Sequence, residues 1–400
     1  VLTVAEALNR IEREVEPIGP EPIRVAASGG RILARDVAAD DDYPAFDTTA
    51  MDGYAVRGIA PPWRERRGTI AAGSVPPAAL EPGEAARVMT GAPVPPGTDA
   101  IVPVEEAEVS GGRVGARRPA VAGIHVRRRG EVFRRGEVLL RAGERMTPGA
   151  VLLAATVGAD PLEVARRPRV LVAATGAEIV DPGSIPSPGQ IRNGNGPALA
   201  AALARRGIAA ESAAAVPDDV DLLVRFFDAA RGADLVLTTG GVSAGDYDRT
   251  IEAAERSGFE ILFHGVAVKP GKPIAFGRRG GGFWFGLPGN PVSALTTFAI
   301  FVEAALDRFE GIREDRFVVA KLDAPLRTKP GREIYRDAVL SARGGDLVVA
   351  PVASHGSHDI RAQGRRNALL VLPAEGGAWE SGAPMRCLPL TRFPGEERGF

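Results

Sequence analysis

A chain of 400 residues is too long for one ordinary core and implies about two to four domains. It is 45% hydrophobic and 25% charged with a formal net charge of −1, so no global field draws it to nucleic acid or to an anionic membrane. One cysteine, Cys387, excludes an intrachain disulfide framework and Cys-rich metal sites, and no apolar run reaches the roughly 18–20 residues of a membrane span. A cytoplasmic enzyme is the expectation.

Residues 1–40 read mostly helical, with apolar positions at Val4, Leu8, Ile11 and Val15 and a Thr3/Glu6 capping box; this is an amphipathic helix and not a signal peptide. From Asp41 to about Arg135 short alternating strands are broken by Pro/Gly turns, the texture of a small β domain. Helical texture returns at Thr147-Pro148, an N-cap followed by a first helical proline. The expectation is therefore a discontinuous helical domain, residues 1–40 and 136–167, carrying an inserted β domain at 41–135. Residues 168–312 alternate strand and helix, which predicts an open, mainly parallel α/β sheet covered on both faces. The predicted strands end at Thr175-Gly176, near Val216, at Gly240-Gly241, at the turn after Val268 and at Pro288-Gly289. A long helix is predicted from Pro291 to Phe309. Residues 313–400 are strand-rich and read as a small β-barrel or sandwich.

In parallel α/β sheets, ligands bind beyond the carboxyl ends of the strands, so the loops there carry the chemistry. The most telling is Val268-Lys269-Pro270-Gly271-Lys272-Pro273. The chain has four lysines against 45 arginines, and two of the four flank this one Pro-Gly turn. Lysine is a compact point charge and arginine a planar fork, so the choice matters at a tight anion site. Pro then Gly in the central positions suits a type II turn. The loop Gly240-Gly241-Val242-Ser243-Ala244-Gly245 allows close backbone approach and can aim N–H groups at a phosphate, or can simply turn the chain. Asn290-Pro291 reads as N-cap and first residue of the long helix, with Ser293 in its first turn, so that helix start is either an anion seat or a plain cap.

Acids stand beside these loops: Glu178, Asp246, Asp248 and the pair Asp218-Asp219. Carboxylates next to phosphate seats suggest Mg²⁺, which takes few carboxylates plus ligand oxygens and water; Asp248 equally suits a helix cap. In the β region, Asp47-Thr-Thr-Ala-Met-Asp52-Gly-Tyr-Ala55 is poor strand material, and Met89-Thr90-Gly91 is a break with one hydroxyl. His355 and His358 are close in sequence but lack an obvious third ligand and read as a solvated loop.

These segments, with Arg127-Arg-Arg-Gly-Glu131 and Gly286-Leu-Pro-Gly-Asn-Pro-Val-Ser-Ala294, resemble the MoeA-type molybdopterin molybdenumtransferases, the family that includes the gephyrin E domain. The motifs follow the family's order across nearly the whole chain. The resemblance implies an elongated homodimer of four-domain subunits, with the active cleft between the α/β domain of one subunit and the β insertion of the other. It implies insertion of molybdenum from molybdate into adenylylated molybdopterin, with Mg²⁺-dependent release of AMP. It puts Asp52, Thr90, Glu178, Asp248, Lys269 and Lys272 in catalytic positions, with Asp52 and Asp248 as metal ligands. Asp218 (or Asp219), Gly240, Gly241, Ser243, Gly245, Pro288, Gly289, Asn290, Pro291 and Ser293 line the pterin and phosphate side. A molybdopterin adenylyltransferase and molybdoenzyme acceptors are the implied partners; nucleic acid and membrane are not. The alternatives are an adenylyltransferase and a gephyrin-like scaffold. Val132 and Asn193 stand where the family usually has Asp, so neither carboxylate role carries over.

Overall fold

The computed structural model describes residues 1–75, 78–242, 249–353, 356 and 359–390. The chain forms two compact units, Pro22–Val164 and a unit joining Val1–Glu21 to Ala165–Phe400.

In the Pro22–Val164 unit, Gly53–Val56 lies between Ala100–Pro103 and Glu84–Val88, antiparallel to both; Trp63–Ile70, Arg113–Ala116 and Ala107–Ser110 complete a six-stranded sheet. Alternation along Gly53–Val56 sorts the two faces. Tyr54 and Val56 join Trp63, Ala85, Val102 and Val114, whereas Ala55 joins Leu80, Ala86, Val88 and Ile101. A separate cluster gathers Leu33, Val37, Leu140, Met146, Leu162 and Val164 around the helix Pro148–Thr156, whose N-cap Thr147 accepts from the Ala150 amide at 3.2 Å.

The second unit holds a six-stranded sheet in the order Ala210–Ser212, Val170–Ala174, Leu235–Thr239, Gly282–Leu287, Ala275–Arg279, Glu260–His264. The first four strands are parallel, and Ala275–Arg279 is antiparallel to both its neighbours. Glu260–His264 therefore runs in the same direction as the parallel four. The loops after Ala174, Thr239, His264 and Leu287 thus leave one edge of the sheet, which is what positions the site. Alternation along the central strands gives each face a core. Val170, Val172, Leu237, Phe283 and Phe285 pack on Asn195–Arg205 and the helical run from Pro291 to Phe309; Val236 and Trp284 pack on Val220–Ala229 and Arg249–Arg256.

Two expectations change here. Residues 1–40 are helical only over Val4–Glu14; the prolines at 17, 20 and 22 then impose extended backbone, with a short strand at Pro20–Ile23 and a 3₁₀ turn at Val25–Ala27. The capping box is present, with Thr3 Oγ1 accepting from the Glu6 amide and Glu6 accepting from the Thr3 amide. The buried stripe of that helix (Val4, Ala7, Ile11, then Val15) lies in the α/β core beside Phe309 and not in the cluster around Pro148–Thr156. Truncating Ile11 there would cost about 2–5 kcal/mol. The long helix is continuous but widens into a π segment at Phe298–Val302 between Pro291–Thr297 and Glu303–Phe309. Arg316 donates to the carbonyls of Ala299 and Ile300 in that segment, satisfying acceptors the wider turn leaves over.

The C-terminal strands close a barrel. Glu333–Arg343 pairs with both Asp346–Pro351 and Ala368–Leu372, and the ring runs on through Val318–Leu322 and Pro384–Pro389. Cys387 is fully buried in its core.

Candidate active site at the carboxyl edge of the sheet

The strand-end loops approach one another too closely for side chains. Gly240 has φ +104°, and a β-carbon on it would come within 2.7 Å of both Thr175 O and Thr175 Oγ1. Gly241 has φ +63°, and its β-carbon would collide with Thr250 Oγ1. A β-carbon on Gly289 would lie 3.4 Å from the Gly240 Cα. The Gly240 amide donates to Leu287 O at 3.0 Å and the Thr175 amide to Thr239 O at 2.8 Å. Positive φ and close approach together require glycine at 240 and 241.

The lysine turn joins this edge after Glu260–His264. The Val266 amide donates to Lys272 O at 2.9 Å, closing the loop. Gly271 has φ +112°, a backbone conformation that favours glycine, and a β-carbon there would collide with Thr297 Cγ2. The turn is therefore seated on the helical run that begins at Pro291. From the other side, Val268–Lys269 pairs with Glu333–Ile334 of the barrel strand, and Arg332 Nη1 donates to Val268 O at 3.1 Å. Both lysines are exposed, and neither pairs with a carboxylate among the described residues. Two unneutralised ammonium groups on a braced backbone are suited to oxyanions.

Beside them, Asn290 caps the helix start, its Oδ1 accepting from the Val292 amide at 3.2 Å, with Pro291 as first residue. Pro288 and Ser293 are buried. Asn195 Nδ2 donates to Gly289 O at 2.8 Å and ties the Pro-Gly-Asn-Pro loop to the helix Asn195–Arg205.

The adjacent acids separate cleanly. Asp219 Oδ1 accepts from the Leu222 amide at 3.0 Å and is the N-cap of Val220–Ala229. Asp218 faces Glu178: burial first, and the Glu178 charge second, push its carboxyl above the ordinary range, with Arg249 opposing. The Arg249 Nη1 donor goes instead to the main-chain oxygen of Asp218, at 2.8 Å. Glu178 folds back over Gly176, where a β-carbon would lie 2.7 Å from both carboxylate oxygens. Asn195 Oδ1, Asp218 Oδ1 and Thr250 Oγ1 are all buried without a hydrogen-bond partner among the described residues. Buried unsatisfied polar atoms are uncommon in folded proteins, and these three belong to residues flanking one sheet edge.

Ser243, Gly245, Asp246 and Asp248 lie outside the described residues, as do His355 and His358. A cavity of about 540 Å³ lies at the opposite edge of the sheet, lined in part by Arg231, Asp234, Phe259 and Arg279. It offers little free chemistry, because Arg279 donates to Ser257 O and Phe227 O and Asp234 binds Arg166 through two oxygens.

In the Pro22–Val164 unit, Thr90 donates both its amide and its hydroxyl to Asp52 Oδ1, each at 2.7 Å. These two bonds, amide first, and the charge of Arg87 hold the Asp52 carboxyl below the ordinary range. The next residue, Gly53, can carry no side chain, since a β-carbon would collide with Val102 O. The Asp47 loop is clipped by the arginine segment: Arg128 Nη1 donates to Asp47 Oδ2 at 2.7 Å and the Arg129 amide to Asp47 Oδ1 at 2.8 Å. Arg129 continues to Asp42. Val132 is 63% exposed, so its missing carboxylate leaves no packing trace. The sequence does not single out Arg87, Asn195, Arg249 or Thr250; although Asn195 lies in the Gly194-Asn195-Gly196-Pro197 segment, the relevance of all four is visible only from what they touch.

Fold and site together define a multidomain α/β plus β protein whose sheet edge carries the lysine turn and the glycine loops. Residues 2–158 match the MoeA N-terminal region (domains I and II), 171–308 the probable molybdopterin-binding domain and 319–390 the MoeA C-terminal region (domain IV). A protein of Mycobacterium tuberculosis strain H37Rv, molybdopterin molybdenumtransferase 2, is 37% identical over 394 residues, covering 93% of this chain and 95% of that protein. The molybdopterin molybdenumtransferase of Synechococcus elongatus is 39% identical over 323 residues, 76% of this chain and 80% of that protein. The crystal structure of a molybdopterin biosynthesis MoeA protein from Pyrococcus horikoshii superposes with a TM-score of 0.84 at 29% identity, covering 98% of this chain and all of that one. The chain belongs to the MoeA family of molybdopterin molybdenumtransferases.

Proposed function

We infer that this protein inserts molybdenum from molybdate into adenylylated molybdopterin with release of AMP, a step of molybdenum cofactor biosynthesis. The observation that carries the reading is the lysine turn: two ammonium groups without a carboxylate partner among the described residues, braced by Thr297 and by the barrel strand, beside glycine turns that no side chain would fit. Substrate and metal source are both oxyanions, so one edge lined by Lys269, Lys272, the Asn290-Pro291 helix start and the Gly240-Gly241 turn can gather both.

The residues here supply binding and proton placement; no protein nucleophile is needed. Lys269 and Lys272 hold phosphate and molybdate oxygens. Asp218, raised by burial and by Glu178, is suited to hold a proton at the edge. Mg²⁺ fits the donor set, since Asp52 has one carboxylate oxygen bound by Thr90 and the other uncommitted among the described residues; Asp52 and Asp248 would hold it. When bound, the cation would stabilise charge developing on the bridging phosphate. A homodimer in which Asp52 and Thr90 of one subunit complete the cleft of the other is part of the proposal. It is supported by the resemblance to the family. No helix among the described residues is long and apolar enough to cross a membrane.

The deciding assay mixes the protein with adenylylated molybdopterin, Mg²⁺ and molybdate and follows AMP. AMP release without ATP supports the reading. Consumption of ATP would point to an adenylyltransferase, and no AMP above background would sink the proposal.

A further inference from the structure

Arg87 stands on Glu84–Val88 directly opposite Tyr54 in register, and its guanidinium lies over the Tyr54 ring at 5.1 Å from the centroid. Asp52 immediately precedes the strand Gly53–Val56, and Arg87 acts electrostatically on its carboxylate. The two opposite charges nevertheless form no ion pair within 4 Å. Asp52 spends Oδ1 on Thr90 instead, and Arg87 has no carboxylate or carbonyl partner among the described residues. In the same sheet Arg64 and Arg66 both engage Glu84, whereas Arg67 and Arg113, like Arg87, make no ion pair among the described residues; Arg87 is the one of these three that lies over an aromatic ring beside Asp52. A half-buried guanidinium over an aromatic ring, with no carboxylate or carbonyl partner among the described residues, has N–H donors to spare, and a guanidinium fork matches two oxygens of a phosphate. Tyr54 is itself only 7% exposed, so the platform cannot swing away.

We propose that Arg87 is a phosphate-binding residue of the Asp52–Thr90 half-site, gripping two oxygens of the nucleotide phosphate while Asp52 keeps an oxygen free. The proposal rests on the functional reading above and deepens it by naming the residue that meets the phosphate on this unit. Arg87 also explains why Asp52 tolerates an anionic ligand: the carboxylate and the phosphate are separated by a cation fixed to the sheet.

The test is titration of AMP, and separately of inorganic phosphate, into the intact protein and its Arg87→Met, Arg87→Lys and Lys272→Ala variants, with melting temperature recorded for each. Met keeps the aliphatic cover on Tyr54, so the fold should be retained. Loss of charge-assisted bonds predicts AMP binding weaker by about tenfold or more in Arg87→Met. Arg87→Lys should recover part of the affinity, and should serve if the Met variant melts early. In turnover, KM for adenylylated molybdopterin should rise more than kcat falls. Binding of AMP by both Arg87 variants at wild-type affinity, with Lys272→Ala impaired, would overturn the Arg87 assignment and leave the function standing. A shift of the acid limb of activity alone, with AMP affinity unchanged, would also overturn it, since Arg87 would then only tune Asp52. Wild-type protein that binds neither AMP nor phosphate would overturn both.

Discussion

Gly271 of the lysine turn lies directly against Thr297 of the following helix, and no β-carbon fits between them. This one contact makes the position of Lys269 and Lys272 a consequence of helix packing and not of the turn alone. Replacing Gly271 by alanine imposes both the collision and a strained φ of +112°, on the order of 1–3 kcal/mol. We expect Gly271→Ala to lower the melting temperature and to reduce AMP release. Adding Thr297→Ser removes Cγ2 while keeping the hydroxyl that donates to Ser293 O, and should restore part of the activity. A double variant no better than the single one would show that the turn is not held by this contact.

Lys272 is exposed and makes no ion pair among the described residues, so Lys272→Ala should alter stability by no more than about 0.5 kcal/mol. Its effect should appear as a steep loss of AMP release. Unchanged AMP release at wild-type stability would refute the assigned role.

Asp218 and Asp219 predict opposite behaviour. The Asp218 carboxyl is raised in the folded protein, so it binds its proton more tightly folded than unfolded. Its contribution is favourable below the ordinary carboxylate range and is lost as pH rises through the raised value. Asp218→Asn should therefore melt higher than wild type at neutral pH, with the difference closing in acid, while turnover falls. Asp219→Ala should lose about 1 kcal/mol of helix capping and keep its turnover. Thermal melts across pH, paired with AMP assays, separate the two; a lower melting point for Asp218→Asn at neutral pH would contradict this account.

Asp52 is the reverse case. Its carboxyl is held low chiefly by the Thr90 amide and then by the Thr90 hydroxyl. Thr90→Val removes the hydroxyl and leaves the amide, so the acid limb of the pH–activity profile should move upward without disappearing. An unmoved limb would mean that Asp52 ionisation does not govern activity in that range.

Much of this molecule could be read from local pattern. Strand–helix alternation announced the parallel sheet, and Gly/Pro punctuation placed its loops. The lysines stood out because arginine fills the cationic positions almost everywhere else. Such features are local: a positive φ, a capping asparagine or a hydrophobic period is written within a few residues. Ala275–Arg279 escaped notice because a five-residue strand with a glycine and two arginines carries no period of its own; its pairing with Glu260–His264 and Gly282–Leu287 makes it a strand.

Tertiary structure decided what no local pattern holds. The apolar stripe of Val4–Glu14 required a buried face but did not name the α/β core as its partner. Asp218 and Asp219 are the same residue type one position apart, and only the direction of the following helix makes one a cap and sets the other against Glu178. Arg87 is one arginine among 45 until strand register lays it on Tyr54 beside Asp52. Sequence by itself determined which chemistry the chain carries, because residue type and turn geometry are encoded nearby. Which of those groups stand free to act was settled only by long-range packing, because a charge is spent or spared according to the neighbours that folding brings to it.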